Sequence, residues 1–564
     1  MEGVIMSKEP KAWHEPLTPL SFLERIASVM PRRPAVIDGD NQWTWRDFFE
    51  RVNRLSNALK GIGVTRGDNV AFVSRNFPPL LEAHYGIPLT GGAIVAINYR
   101  LSAREISTIV NLSGARVLFV DAGVADRVNP EDLPNVEVYV NVFDGRDTYG
   151  ETVVKVLPGV AYEEFIAGAS AEYTRLELED ENDTIAIDYT SGTTGTPKGC
   201  IYSHRSAYLH ALAKIIEHSV TASSVYLWTL PMFHCNGWCW SWVTSGVGAA
   251  NICMPAPDPD RIWRLIEKHG VTHMAGAPVV FHRLGQYMDE NGISRFPKKL
   301  IMNVAAAPPP VTMLRNMESK GGEIRHAYGL TETYGPFTIC EWNPDWDALP
   351  EEQRLALKMR QGVPDITAGR VRIVDTDGND VPKDGKTIGE IIMRGNDVVQ
   401  GYYQAPKENA KAFKDGWFYS GDGGVFHSDG YIEVKDRFKD VIISGGENIT
   451  GVEVENCIYQ HPDVDEVVCF GKPDEKWGEV VKCLVRPKKG TSPTAEDIIS
   501  FCRERLAHFK CPKEIEFGEI PRTSAGKVQK YLLREKEKRQ AGRSVADPAQ
   551  TRLRTAPTSR GNSK

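Results

Sequence analysis

The chain has 564 residues, of which 41% are hydrophobic and 25% charged, and its net charge is −7. This length predicts more than one domain, and the near-average composition excludes collagen-like, coiled-coil and wholly disordered chains. The mildly acidic balance argues against a dedicated nucleic-acid binder, which would carry a strong basic excess. Ten cysteines without a CxxC pair indicate reduced thiols rather than a disulfide framework.

We expect no targeting or membrane segment, so the sequence predicts a cytoplasmic protein. Residues 1–20 lack the apolar core of a signal peptide, and the final residues 562–564, Asn-Ser-Lys, differ from the peroxisomal Ser-Lys-Leu address. Residues 225–256 carry no Asp, Glu, Lys or Arg and are long enough to cross a bilayer. Because Pro231, several glycines and four tryptophans interrupt this stretch, we expect a buried strand followed by an apolar pocket wall.

The residues before 180 alternate helical patterns with short β-rich runs. Such alternation predicts α/β layers whose strands are largely parallel. The expected strands are 70–73, 115–120, 185–189 and 300–304, and the expected helices are 45–59, 103–112 and 206–218.

The pattern changes at the charged pentad 436–440. Beyond it lies a stretch of domain size with its own expected strands (466–470, 480–485, 515–517) and a helix at 495–506. We therefore predict an N-terminal domain at 1–436, a hinge at 437–441, a C-terminal domain at 442–540 and a disordered tail at 541–564.

A Gly- and Thr-rich segment, 190–199, follows the strand expected at 185–189 and reads TSGTTGTPKG. Glycines let backbone N–H groups approach a phosphate closely, the hydroxyls add donors and the lysine adds a charge. It is not a Walker loop, because no Ser or Thr follows the lysine and the glycine spacing differs. The alternative is a flexible surface loop. The candidate phosphate-binding residues are Thr190, Ser191, Gly192, Thr193, Thr194, Gly195 and Lys198.

Two later segments also suit a nucleotide. In 328–333, YGLTET, the ring of Tyr328 can stack on adenine, while Thr331 and Glu332 can hold a Mg²⁺ that bridges phosphates. In 419–422, YSGD, the Asp422 carboxylate can accept from two ribose hydroxyls. Taken alone, the first segment also reads as a helix start and the second as a turn.

The string YTSGTTGxPKG at 189–199 resembles the signature of the adenylate-forming superfamily, which contains acyl-CoA synthetases, luciferases and the adenylation domains of peptide synthetases. Five motifs occur in the family's order, and the resemblance covers about residues 20–535. It implies an α/β fold: a large N-terminal adenylation domain of several subdomains, with parallel sheets, helices and a small β-barrel, and a small mobile α+β C-terminal domain.

The resemblance also implies roles for individual residues. The expected catalytic residues are Lys527, His234, Glu332 and Thr193, of which Glu332 and Thr193 hold the metal. The further nucleotide-binding residues are His326, Ala327, Tyr328, Gly329, Thr331, Asp422 and Arg437. The expected CoA-binding residues are Gly445, Gly446, Trp477, Phe509 and Lys510, and Lys439 is the expected hinge. The alternatives are surface amines for the lysines and core packing for the aromatic rings.

The segment 230–238, LPMFHCNGW, indicates the branch of the superfamily. By resemblance, His234 is the gate beside an acyl pocket, although it could instead be a core histidine. Peptide-synthetase domains place an Asp here to bind the amino group of an amino acid. Without an Asp in 225–256, a buried ammonium would be left unpaired at large cost, so we expect an acid without an amino group. The expected acyl-binding residues are His234, Trp238, Ala305, Ala306 and Ala307.

The sequence thus predicts an acid–thiol ligase that uses ATP, Mg²⁺ and CoA and acts on a short-, branched- or medium-chain fatty acid. An aromatic acid of benzoate or cinnamate type is the alternative substrate, and a luciferase-like enzyme is a distant alternative. A degenerate scaffold is disfavoured, because Lys527 and Asp422 are both present. We expect a monomer or homodimer that binds the carboxylic acid, ATP and CoA, and no nucleic acid.

Overall fold

The computed structural model describes residues 15–142, 156–190, 196–437, 442–444, 447–474, 477–522 and 528–545. The chain divides into two compact units, Met1–Arg372 with Ile392–Ser420, and Ile373–Ile391 with Gly421–Lys564. The second unit therefore takes in two stretches that precede the predicted boundary at residue 436, namely 373–391 and 421–436. The predicted hinge residue Lys439 and most of the predicted tail, from residue 546, lie outside the described residues.

Local sequence signals explain where several helices begin. Thr44 accepts a hydrogen bond from the Asp47 amide, and the Asp47 carboxylate accepts from the Thr44 amide, a capping box that satisfies two amides of the first turn. Ser102 and Thr494 cap in the same way. Within the described residues, the helices are α1 (Leu20–Val29), α2 (Trp45–Gly61), α3 (Pro78–Gly86), α4 (Ala103–Ser113), α5 (Tyr162–Ala167), α6 (His204–Glu217), α7 (Cys235–Trp238), α8 (Trp240–Val247), α9 (Pro259–His269), α10 (Pro278–Glu290), α11 (Val311–Ser319), α12 (Glu351–Lys358), α13 (Pro406–Ala412), α14 (Gly451–Ile458), α15 (Ala495–Arg503) and α16 (Lys530–Val545).

A seven-stranded sheet carries the expected phosphate segment at its edge. Its strands are parallel except for the last pair, which is antiparallel. Its continuous apolar strands are buried on both faces, as in other α/β proteins. In spatial order the strands are β7 (Val160–Ala161), β6 (Val138–Val142), β5 (Val117–Asp121), β3 (Asn69–Val73), β4 (Ala93–Ile97), β8 (Thr184–Thr190) and β9 (Lys198–Ser203).

A nine-stranded sheet carries the other predicted nucleotide segment. Its central strands are parallel, and antiparallel pairs close both ends. In spatial order the strands are β16 (Val363–Pro364), β15 (Gly335–Ile339), β14 (Gly322–Leu330), β13 (Leu300–Val304), β12 (His273–Gly276), β10 (Val225–Leu227), β11 (Ala250–Ile252), β1 (Pro34–Asp38) and β2 (Asn41–Thr44).

Two five-stranded sheets complete the fold. The first contains β17 (Gly369–Val374), β18 (Gly389–Gly395), β20 (Trp417–Phe426) and β19 (Phe413–Lys414) in that order, with β21 (Ile432–Arg437) paired to β20. The second contains β23 (Glu447–Ile449), β22 (Ile442–Ser444), β25 (Gly478–Pro487) and β24 (Val464–Asp474), with β26 (Glu514–Phe517) paired to β25. Strands β17, β18 and β20 each contain a boundary of the two units.

The predicted fold class is confirmed. The large unit holds two parallel-stranded sheets with helices, and the small unit holds mixed α and β elements with a core of its own around Ile442, Val454 and Val485. In the large unit, Phe72 of β3 stacks on Phe119 of β5 with ring centroids 4.9 Å apart, and both rings are fully buried. Burial of such aliphatic and aromatic surface is the main term that stabilises these layers.

Candidate active site

The described ends of the predicted phosphate segment, Thr190 and residues 196–199, lie at the paired ends of β8 and β9 or next to them. The antiparallel register places Thr190, the last residue of β8, opposite Lys198, the first residue of β9. The Lys198 ammonium lies 4.6 Å from the ring centroid of Tyr402, a distance typical of a cation–π contact. The predicted residues Ser191, Gly192, Thr193, Thr194 and Gly195 lie outside the described residues.

The segment 328–333 approaches this hairpin. Strand β14 ends at Leu330 and is followed by a single 3₁₀ turn, Thr331–Thr333. The Tyr202 hydroxyl of β9 donates a 2.8 Å hydrogen bond to the Thr331 carbonyl. Glycine is required at 329, because a Cβ there would collide with the Gly335 carbonyl across the β14–β15 pair. The turn that contains Glu332 therefore lies against the β8–β9 hairpin, which carries the described ends of the predicted phosphate segment.

Glu332 is held at this place by residues from a distant part of the chain. The Tyr402 hydroxyl donates a 2.8 Å hydrogen bond to Oε1 of Glu332, and the Val399 amide donates to the Glu332 carbonyl at 3.0 Å. Burial and the neighbouring Glu332 carboxylate raise the pKa of Tyr402, so its hydroxyl stays a donor. A half-buried carboxylate with one oxygen so oriented suits Mg²⁺, which prefers oxygen ligands.

The other predicted residues of the 326–331 stretch differ in exposure. Tyr328 and Thr331 are half-buried, whereas His326 and Ala327 are buried. His326 Nδ1 lies 3.2 Å from the Lys358 carbonyl, and Nε2 lies 3.4 Å from the Gln361 amide nitrogen. Burial lowers the pKa of His326 to about 4, so the ring is neutral and bonded within the protein.

The predicted acyl gate His234 directly precedes the short helix α7 (Cys235–Trp238), here called the gate helix, which contacts β8 through Asn236. His234 is half-buried, Trp238 is buried, and their ring centroids are 6.5 Å apart. Trp238 also packs on Gly335, where an added Cβ would lie 3.2 Å from its indole ring. Of the predicted alanines, Ala305 is buried at the end of β13, whereas Ala306 and Ala307 are exposed.

The neighbouring tryptophans belong to the core. Trp240 stacks on Tyr226 with ring centroids 4.2 Å apart, and the Trp242 indole N–H donates to the Tyr334 hydroxyl at 3.2 Å. Both rings are fully buried. The sequence alone left open which of these rings face a pocket, because an apolar run has no period that distinguishes a pocket wall from a core.

In the small unit, strand pairing brings together the two predicted ribose residues. Asp422 of β20 and Arg437 of β21 are register partners. Asp422 is buried, and the preceding Gly421 amide donates a 2.9 Å hydrogen bond to Glu390 Oε1. The fifteen-residue separation of Asp422 and Arg437 in the sequence is therefore bridged by one hairpin.

The predicted CoA residues of the small unit lie in different settings. Trp477 and Phe509 are among its exposed large rings, at 46% and 42% exposure. The Lys510 ammonium makes a salt bridge to Glu453 at 2.6 Å. The predicted residues Gly445, Gly446 and Lys527 lie outside the described residues.

The structure adds residues that the sequence did not single out. Tyr402 and Tyr334 are two of them. A third is the buried Asp188 of β8, which accepts two hydrogen bonds from Asn236 in the gate helix. A second buried cluster joins His210 and Asp397 to the Lys214–Asp365 ion pair of 2.9 Å. Because the Lys214 ammonium already supplies the positive charge there, we assign this cluster no metal.

Comparison with known proteins identifies the class. Residues 23–403 match the AMP-binding enzyme family, and residues 453–527 match the AMP-binding enzyme C-terminal domain. The chain therefore belongs to the AMP-binding enzyme family. It is 44% identical to 4-hydroxybutyrate–CoA ligase 2 of Metallosphaera sedula, over 94% of this chain and 96% of the relative. It is 41% identical to an acetate–CoA ligase of Humulus lupulus, over 93% of this chain and 95% of the relative.

A solved structure supports the same conclusion. The o-succinylbenzoate CoA synthetase of Bacillus subtilis, in complex with ATP and a magnesium ion, has a TM-score of 0.76 and 25% identity, over 92% of this chain and 99% of that one. The prediction of an ATP-dependent, AMP-forming acyl-CoA synthetase is confirmed, with ATP and CoA as its substrates. Among the residues that the structure describes, no helix is both long and apolar enough to cross a membrane.

Proposed function

We propose that this enzyme joins CoA to a short- or branched-chain aliphatic acid. The observation that carries the proposal is the buried Trp238, packed against Gly335 beside the predicted gate His234. A bulky ring in this position leaves little depth for an acyl chain. No acidic residue lies in 225–256, which disfavours an amino acid. The named substrates of the two relatives, 4-hydroxybutyrate and acetate, are short acids.

The first half-reaction is adenylate formation. An oxygen of the substrate carboxylate attacks the α-phosphorus of ATP, the bond to the β-phosphate oxygen breaks, and pyrophosphate leaves. We assign Lys198 and the loop at its N-terminal side to the departing phosphates, and Asp422 and Arg437 to the ribose. Glu332 and Thr193 would hold Mg²⁺, which neutralises phosphate charge when bound. Lys527 stabilises the anionic transition state.

The second half-reaction is thioester formation. The CoA thiolate attacks the acyl carbonyl carbon, the bond to the phosphate oxygen breaks, and AMP leaves. We assign the Gly445–Gly446 segment, Trp477, Phe509 and Lys510 to CoA, and Lys439 to the hinge between the two half-reactions. Lys510 would first have to release Glu453, to which it is paired.

The test measures pyrophosphate release and CoA thioester for each acid of one panel. The panel contains acetate, butyrate, 4-hydroxybutyrate, isovalerate, hexanoate, decanoate, benzoate and cinnamate. We expect the highest kcat/KM among the short and branched aliphatic acids, with AMP and thioester formed in equal amounts. A maximum at decanoate or at an aromatic acid would overturn the proposed substrate. Adenylate formation without thioester would favour the luciferase-like alternative.

We also propose a cytoplasmic location and a monomeric or homodimeric state. Cell fractionation tests the first, and light scattering on the purified chain tests the second. An organelle-bound pool or a tetramer would contradict them.

A further inference from the structure

The gate helix has an unusual backbone. Five consecutive residues, 235–239, have φ between +42° and +64°, and four of them are not glycine. The left-handed conformation places Cβ too close to the following carbonyl, so a run of this kind is costly and persists only where its surroundings hold it. The run lies between His234 and the core helix α8, and it contains Trp238.

All four polar groups of Asn236, two on its backbone and two on its side chain, make hydrogen bonds that hold this run in place. Its backbone amide donates to Asp188 Oδ2 at 2.8 Å, and its side-chain amide donates to Asp188 Oδ1 at 3.2 Å. Its side-chain oxygen accepts from the Tyr334 hydroxyl at 3.1 Å, and its carbonyl accepts from the Ser241 hydroxyl at 3.0 Å. All of these residues are fully or almost fully buried.

The neighbouring rings determine the orientation of this amide. His84 Nδ1 lies 2.7 Å from the Leu80 carbonyl, so Nδ1 carries the proton and Nε2 is an acceptor, 3.4 Å from the Asn236 side-chain nitrogen. On the other side, Tyr334 accepts from Trp242 and donates to Asn236. Donors and acceptors therefore match at every contact, which makes a buried polar network specific for one geometry.

The same network joins three parts of the active site. Asp188 precedes Thr190 by two residues on β8, and Tyr334 follows the turn that holds Glu332. Asn236 itself lies midway between His234 and Trp238. A displacement of Asn236 would therefore move the acyl gate relative to the predicted nucleotide site.

We propose that the Asp188–Asn236–Tyr334 network positions the gate helix and thereby sets the chain-length selectivity of the acyl pocket, by holding Trp238 against Gly335. Asp188, Asn236 and Tyr334 are positioning residues: they act through Trp238 and not on the substrate. This inference rests on the proposed function and adds the reason why the pocket favours short acids.

The experiment compares kcat/KM for butyrate and hexanoate in the full chain. In Asn236→Ala we expect the butyrate-to-hexanoate ratio to shift about tenfold toward hexanoate, while KM for ATP stays within about twofold of wild type, because a loosened Trp238 deepens only the acyl pocket. Tyr334→Phe, which lacks one hydroxyl, should shift the ratio in the same direction by about threefold. The control is Tyr226→Phe, since the buried Tyr226 hydroxyl has no hydrogen-bond partner among the described residues.

The possible results distinguish a failure of the positioning role from a failure of the proposed function. An unchanged ratio in Tyr334→Phe and in Asn236→Ala, in an enzyme that forms thioester, would overturn the positioning role while leaving the proposed function intact. Equal rises in the KM values for acid and ATP would also overturn it, because they indicate general loosening. If Asn236→Ala does not fold, Tyr334→Phe decides the question. A wild-type enzyme without thioester formation from any acid of the panel would refute the proposed function itself, and this inference with it.

Discussion

The Tyr402 hydroxyl donates a 2.8 Å hydrogen bond to Oε1 of Glu332, although the two residues are 70 positions apart in the sequence. The same tyrosine ring lies 4.6 Å from the Lys198 ammonium. Tyr402 thus contacts both a predicted metal ligand and a predicted phosphate ligand. We infer that it orients both groups before ATP binds, which reduces the reorganisation needed during adenylate formation.

This contact predicts the effect of Tyr402→Phe. The variant keeps the ring beside Lys198 but removes the donor to Glu332, so we expect the Mg²⁺ concentration for half-maximal activity to rise about tenfold. KM for the acid should change little. Tyr403→Phe is the neighbouring control. A Mg²⁺ dependence equal to that of wild type would show that Tyr402 does not orient Glu332.

Position 329 should not tolerate any side chain larger than that of glycine. A methyl group at 329 would collide with the Gly335 carbonyl, so Gly329→Ala must separate β14 from β15 at the base of the Glu332 turn. We expect adenylate formation to fall at least about a hundredfold, with a lower thermal midpoint. Gly168→Ala is the control, because an added Cβ meets nothing there and φ is −75°. A fully active Gly329→Ala enzyme would mean that this strand pair tolerates separation.

Local patterns predicted the elements well and the site contacts poorly. The strand expected at 300–304 is found at Leu300–Val304, because a continuous apolar run between polar residues marks a buried strand. The helix expected at 495–506 ends instead at Arg503, since helix ends are weakly encoded.

The motif residues Thr190, Lys198 and Glu332 could be proposed as site residues because each lies in a short motif whose residue types suit phosphate or metal binding. Contacts such as Asp188–Asn236 could not, because their partners are 48 positions apart and come together only through sheet topology. The left-handed run at 235–239 was also hidden, since three of its five residues, two Cys and one Trp, are types that rarely adopt positive φ.

Glu217, whose carboxylate lies 3.6 Å from the Lys214 ammonium of the buried cluster, predicts a pH dependence of stability. Burial raises the pKa of Glu217 to about 7, from 4.5, against the opposing effect of Lys214. The folded state therefore binds this proton more tightly than the unfolded chain does. Its contribution to the free energy of unfolding is fully present below a pH of about 4.5 and is lost as the pH rises to about 7.

The variant Glu217→Gln isolates this contribution. Urea unfolding across that pH range should show wild type losing stability relative to Glu217→Gln as the pH rises. Glu290→Gln, at an exposed carboxylate, should follow wild type. A constant difference between wild type and Glu217→Gln at all pH values would show that Glu217 does not titrate in this window.

Substitution of Lys527 should impair the first half-reaction and leave the second largely intact. If its ammonium stabilises only the adenylate-forming transition state, Lys527→Ala should lower acid-dependent pyrophosphate exchange by at least about a thousandfold. Thioester formation from preformed acyl-adenylate and CoA should stay within about threefold of wild type. The reason is that the negative charge of the adenylate-forming transition state, at the α-phosphate, does not develop in the second step. The matched control is Lys530→Ala, three positions along, whose ammonium pairs with Glu455 at 3.1 Å. Equal loss of both half-reactions in Lys527→Ala would contradict the assignment, since a residue confined to one transition state cannot slow the other.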